Sequence, residues 1–185
     1  LEALHAAKIV HGKFNEESLT LRDDVYDGAL NIVYSPIGKG GWSTKGLRLT
    51  NFDHSVDFER MPAGQTLTCR PGQCDNMLEY SSWSYEIDYH GLCSTAHRLL
   101  HRGAEMELSQ CDDGSWAPVK QIKRYFQMGL WQEFFETLLN IEAGTAAPLA
   151  QLRQKFEEYL AKNPYKAKAV KPALIKQDSA LADQP

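Results

Sequence analysis

From Val119 onward one rhythm governs the chain. Ile122, Tyr125, Phe126, Leu130, Phe134, Leu138 and Ile141 recur at steps of three and four, and a helix is what gathers residues so spaced onto one face. The spacing predicts a helix from about 119 to 142, with Gly129 as a kink point. Ala143-Gly144-Thr145 breaks it, and Pro148 opens a second helix that runs to about 162. The earlier part of the chain follows a different rule. Leu30-Asn31-Ile32-Val33-Tyr34, Leu47-Arg48-Leu49-Thr50, Val56-Asp57-Phe58-Glu59 and Gln65-Thr66-Leu67-Thr68 are short alternating or β-rich runs, most of them punctuated by glycine or proline. That pattern is the signature of an antiparallel sheet.

The longest strand expected is Met77 to Tyr89, bent near Ser81-Ser82. Period-two alternation places Trp83, Tyr85 and Tyr89 on one face and Ser82, Ser84, Glu86 and Asp88 on the other. Cys93 to His101 reads as one inserted helix closed by Gly103, and residues 1–11 as a short amphipathic helix stopped by Gly12. Ala104 to Ser109 alternates again and meets a turn at Asp112-Asp113-Gly114-Ser115. The fold class is therefore α+β: a mostly antiparallel sheet in the first two thirds, a short N-terminal helix, one inserted helix, and two C-terminal helices packed on the sheet. Residues 1–162 are expected to form a single domain, and 163–185 an exposed tail rich in alanine, lysine and proline.

Charge and cysteine usage narrow the function classes. Twenty basic against 24 acidic residues leave a net charge of −4, which argues against a nucleic-acid partner. No window approaches the eighteen apolar residues that a membrane span needs. The chain opens at Leu1, so an upstream signal peptide, membrane anchor or neighbouring domain is expected to have preceded it. Four cysteines, Cys69, Cys74, Cys93 and Cys111, are compatible with two disulfides. A turn at Pro71-Gly72 would set Cys69 opposite Cys74 and leave Cys93 to pair with Cys111. Oxidised pairs imply a periplasmic or extracellular protein. The alternative is four free thiols in a cytoplasmic one. A zinc site from Cys69, Cys74, Cys93 and His97 has suitable ligand types, but its spacing fits no standard zinc motif. No metal or cofactor is expected.

The constellations that could carry chemistry are incomplete. Gly38 to Gly46 lacks the order of a phosphate-binding loop, since Ser43-Thr44 precedes Lys45. It reads as a flexible loop presenting Trp42. Cys93, near an expected helix N-terminus, is the best nucleophile, with His54 or His90 as its base and Asp53, Asp57 or Asp88 as orienter. Glu86/Asp88 and Glu105/Glu107 each share a strand face and suit carboxylate chemistry, although a solvated sheet face produces the same pairs. Trp42, Trp83, Tyr85, Glu86 and Asp88 together suit recognition of a protein or a glycan. The leading expectation is an exported, disulfide-stabilised binding or assembly module that uses an acidic, aromatic sheet face. The alternative is a secreted effector-type enzyme, either a thiol hydrolase or transferase centred on Cys93 or a carboxylate enzyme using Glu105 and Glu107.

Overall fold

The computed structural model describes residues 1–21, 47–62, 67–68, 82–142 and 144–163. Trp42, Cys69, Cys74 and the tail from 164 onward lie outside the described residues. The α+β class holds, with small antiparallel strand pairs early and helices later. Helix α1 (Glu2–Ala6) leads into β1 (Ile9–Val10), and a 3₁₀ turn (Glu16–Ser18) leads into β2 (Leu19–Leu21). Strand β3 (Leu47–Leu49), a 3₁₀ turn (Phe52–His54), β4 (Val56–Asp57), β5 (Leu67–Thr68) and β6 (Ser82–Trp83) follow. Helix α2 (Glu86–Leu100) precedes the hairpin of β7 (Leu108–Gln110) and β8 (Trp116–Pro118). A 3₁₀ turn (Arg124–Phe126), α3 (Met128–Leu139) and α4 (Leu149–Lys162) complete the order. Among the described residues the strands pair as β1–β4, β2–β3, β5–β6 and β7–β8, rather than as one continuous sheet.

The chain forms two compact units. One comprises Leu1–Leu19 with Leu49–Leu149, and the other Thr20–Arg48 with Ala150–Pro185. Most of α4 belongs to the second, where Leu152 is its buried residue and Gln154 donates to Glu158 one turn on. The core of the first unit lies where α2 meets α3. Tyr89, Cys93, Ala96 and Leu100 recur at helical spacing along α2 and are buried, as are Phe134, Phe135, Leu138 and Leu139 of α3. The hairpin is built as its turn chemistry requires. Gly114 takes φ +85, and Asp113 Oδ1 accepts from the Ser115 N–H at 2.9 Å and hydroxyl at 2.6 Å. Those two bonds hold the Asp113 carboxyl below its usual range. Asn140, just past α3, completes the attachment: its amide accepts from Trp116 N–H at 2.6 Å and donates to Trp116 O at 3.0 Å.

Two details differ from the sequence expectation. Met77 to Tyr89 is not one strand, because α2 already begins at Glu86. Tyr85 and Tyr89 are four apart as well as even-spaced, and the run of buried residues at Tyr89, Cys93, Ala96 and Leu100 selects the helical period. The single long helix from 119 is shorter, starting at Met128 after Gln127 takes a left-handed φ of 59.

At the C-terminal end of α2, His97 and the capping residue His101 stack with ring centroids 4.3 Å apart, and both are buried. Burial pushes the His97 imidazole below its ordinary value, aided by Lys120 and opposed by its bond to the Ala104 carbonyl and by Glu105. Burial lowers His101 as well, with His97, Lys120 and Lys123 adding to it. The unfolded chain takes up these protons near pH ~6.5 while the folded chain resists. Stability from this pair is therefore complete above that pH and is lost as pH falls through the depressed folded values. The urea midpoint is expected to drop between pH 7.5 and 5.5, and to drop less in His101→Phe, which preserves stacking without titrating. A wild-type midpoint flat across that window would exclude the effect.

Candidate functional site

Among the described residues of the first unit a polar network centres on Asp88, whose exposure is 0%. Strand β1 pairs with β4 in the register Ile9↔Asp57 and Val10↔Val56. That pairing delivers the next two residues, His11 and Gly12, to the first turn of α2. Asp88 Oδ2 accepts from the His11 N–H at 2.7 Å, and Oδ1 from the Gly12 N–H at 2.9 Å. Oδ2 also meets His5 Nε2 at 2.9 Å. Tyr89 continues the network, its hydroxyl 3.1 Å from His5 Nδ1 and accepting from the Ala147 N–H at 2.8 Å. The Asp88 carboxylate only accepts, so His5 Nε2 carries the proton that faces it, and in the neutral ring Nδ1 then accepts from the Tyr89 hydroxyl. Glu86, also buried, accepts from Ser84 N–H and Gly144 N–H, both at 2.6 Å.

The chain beyond Gly12 is shaped by its own polar residues. Asn15 caps the 3₁₀ turn, accepting from Ser18 N–H at 3.1 Å, and the Ser18 hydroxyl reaches Lys13 O at 3.1 Å. The segment from Thr50 to Ser55 is stitched across it. Thr50 N–H donates to Ser18 O at 2.8 Å, His11 Nε2 donates to Thr50 O at 2.8 Å, and Ser55 Oγ donates to His11 O at 3.2 Å. Phe52 lies edge-on to the His11 ring at 5.2 Å. Asn51, at a left-handed φ of 64, donates to Glu17 O at 3.1 Å. Between the two segments opens a cleft of about 200 Å³ lined by Lys13, Asn15, Glu17, Ser18, Asn51, Asp53 and His54.

Of the residues singled out from sequence, Asp53 and His54 line the cleft, Glu86 and Asp88 belong to the buried network, and the others fall elsewhere. His54 is exposed and lines the cleft. Cys93 is at 0% exposure inside the α2–α3 core, and burial pushes its thiol well up, the opposite of an activated nucleophile. His90 is buried on the same helix. Glu105 is exposed and pairs with Arg98 at 2.9 Å, and Glu107 is exposed. Glu86 and Asp88 belong to a buried helical turn rather than an open sheet face, because their oxygens are taken by the N–H groups just described. Trp83 and Tyr85 are half-buried, Tyr85 packing on His5 and Phe58. Cys93 and Cys111 are free thiols, one buried and the other exposed, so the expected Cys93–Cys111 disulfide is not formed. His97 turns its Nδ1 to the Ala104 carbonyl, and no group of three or more metal-ligating side chains gathers among the described residues. Sequence reasoning missed His5, His11, Lys13, Ser18 and Asn51, the residues that build the junction and its cleft.

No protein-family model matches the chain. Its similarities lie with serine/threonine-protein kinases, and in its fold with part of a kinase domain. It is 33% identical over 190 residues to the mitotic checkpoint serine/threonine-protein kinase BUB1 of Arabidopsis thaliana, a match covering 98% of this chain and 36% of that protein. It is 30% identical over 174 residues to the spindle assembly checkpoint serine/threonine-protein kinase bub1 of Schizosaccharomyces pombe, covering 86% of this chain and 17% of that protein. The chain thus spans about a third or less of the length of these relatives. The crystal structure of the BubR1 kinase domain superposes with a TM-score of 0.74 at 29% identity, covering 93% of this chain and 49% of that one.

These likenesses correct the expectation of an exported, disulfide-stabilised binding module and its alternative, a secreted effector-type enzyme. Mitotic and spindle checkpoints operate inside cells, so the periplasmic or extracellular placement falls with them. No helix among the described residues is long and apolar enough to cross a membrane.

Proposed function

We propose that this chain forms the catalytic-loop half of a kinase-type domain that serves an intracellular mitotic-checkpoint protein assembly. The observation that carries the reading is the register of His11 to Ser18 against the protein-kinase catalytic loop, H-R-D-L-x-x-x-N. His11 stands at the histidine and Phe14 at the apolar position, eight residues closing on Ser18. The D-F-G segment that faces this loop in kinases has its counterpart in Asn51-Phe52-Asp53, with Phe52 against His11. Two distant stretches, both in kinase register and in mutual contact, support the reading more than either stretch alone. The partner is a protein of such an assembly, and residues 1–162 are taken as the folded portion.

The test is genetic and uses the full-length protein. Cells depleted of it are expected to leave mitosis when their spindle is poisoned, and wild-type protein to restore the arrest. Asp88→Ala, which undoes the junction, should fail to restore it. Normal arrest in depleted cells would overturn the reading.

A further inference from the structure

On that reading of the cleft, we infer that it binds no divalent cation and transfers no phosphoryl group: the three polar positions that kinase chemistry needs are occupied here by Lys13, Ser18 and Asn51. In the kinase signature the loop aspartate accepts the proton of the substrate hydroxyl, the loop asparagine holds one magnesium ion, and the D-F-G aspartate holds magnesium as well. Lys13 takes the first position. Its ammonium has three donors and no acceptor, so it cannot receive that proton, and it adds positive charge to the cleft wall, which disfavours a dication. Ser18 takes the second, and its buried hydroxyl is turned back onto Lys13 O and Asn15 Oδ1. Asn51 takes the third with a neutral amide in place of a charged carboxylate, and its NH₂ donates to Glu17 O. Magnesium favours carboxylate and phosphate oxygens in near-octahedral array. Glu17 and Asp53 remain on the cleft wall, yet they stand at other places in the register than the three positions that handle the proton and the metal. Magnesium and ATP therefore do not fit the residues present.

The cleft still has a structural use, because the bonds that shape it are the ones that join the two segments. The geometry gives a loop preserved in form and emptied of acid–base and metal chemistry. A general base alone is worth about 10²–10⁴-fold in rate, so loss of base and both metal positions together predicts no transfer above background.

The experiment uses the full-length protein and manganese as the spectroscopic stand-in for magnesium. Bound manganese is read by electron paramagnetic resonance with and without ATP, and transfer of the γ-phosphoryl group is read on a mixed peptide substrate. Wild type is expected to leave the free manganese–ATP signal unchanged and to transfer nothing. Lys13→Asp/Asn51→Asp changes two exposed side chains, so although it gives up the Asn51 bond to Glu17 O it should still melt cooperatively and acquire bound manganese. Manganese bound by wild type and lost in Asn51→Ala would overturn the inference while leaving the kinase register intact. If neither protein binds manganese, the register itself is wrong and the assignment of these residues falls with it.

Discussion

Replacing Asp88 by alanine is expected to cost about 3–5 kcal/mol, the loss typical when one partner of a buried charged network is removed. Three donors converge on that carboxylate, from His11, Gly12 and His5. Alanine leaves all three in a dry site, and each unmatched buried group carries its own penalty of about 1–3 kcal/mol. Against a total stability of about 5–15 kcal/mol, the variant should show a urea midpoint near half that of wild type, or no folded baseline. The substitution Asp88→Asn offers a sharper reading, since it keeps the volume. The single amide oxygen can serve the Oδ2 partners His11 and His5, which leaves the amide NH₂ against the Gly12 N–H. The expected order is wild type, then Asp88→Asn, then Asp88→Ala. An alanine variant within about 1 kcal/mol of wild type would mean that the junction is not held by this carboxylate.

That same residue shows where the sequence is legible and where it is not. The helices after Val119 and the Asp112–Gly114 turn are visible because each depends on neighbours within a few positions, an apolar step of three or four or a turn residue tolerant of positive φ. The start of α2 is hidden because Tyr85, Ile87 and Tyr89 satisfy period two while Tyr85 and Tyr89 also satisfy the helical step. Charged residues are mostly exposed, so Glu86 and Asp88 invite a solvated reading. Only contacts 77 residues apart in sequence, such as Asp88 with His11, reveal them as buried acceptors. The cleft was hidden for a further reason. In the kinase register we propose, His11, Phe14 and Phe52 remain, residues that serve packing, whereas the positions that make the signature recognisable are Lys13, Ser18 and Asn51. Cysteine parity misled in a different way: Cys93 is explained by its place in the α2–α3 core, and that role needs no partner thiol.

Glycine-to-alanine substitutions at the junction should carry the other large effect, with a sign opposite to ordinary expectation. Alanine in a helix interior is normally better than glycine by about 1 kcal/mol. Gly91 lies in α2, but a Cβ there would run into the carbonyl oxygen of Phe14, whose Cβ is also close. Backbone cannot yield as a flexible side chain does, so Gly91→Ala is expected to destabilise by about 1–3 kcal/mol, the usual penalty for overpacking. Gly12 is worse placed, because it combines φ +80 with a Cβ directed into the backbone oxygen of His54. The left-handed conformation alone costs a non-glycine residue about 1–2 kcal/mol, and the collision adds to that. Gly129, early in α3, has nothing within reach of a Cβ, and Gly129→Ala should raise stability by up to about 1 kcal/mol. Because Gly12 and Gly91 fit opposite ends of one loop, His11 to Phe14, against different neighbours, the double variant should lose less than the sum of the singles once that loop has been dislodged. Urea denaturation of the four proteins tests the set. A stabilising Gly91→Ala, or full additivity between Gly12 and Gly91, would show that the loop is not seated on α2 as closely as these contacts require.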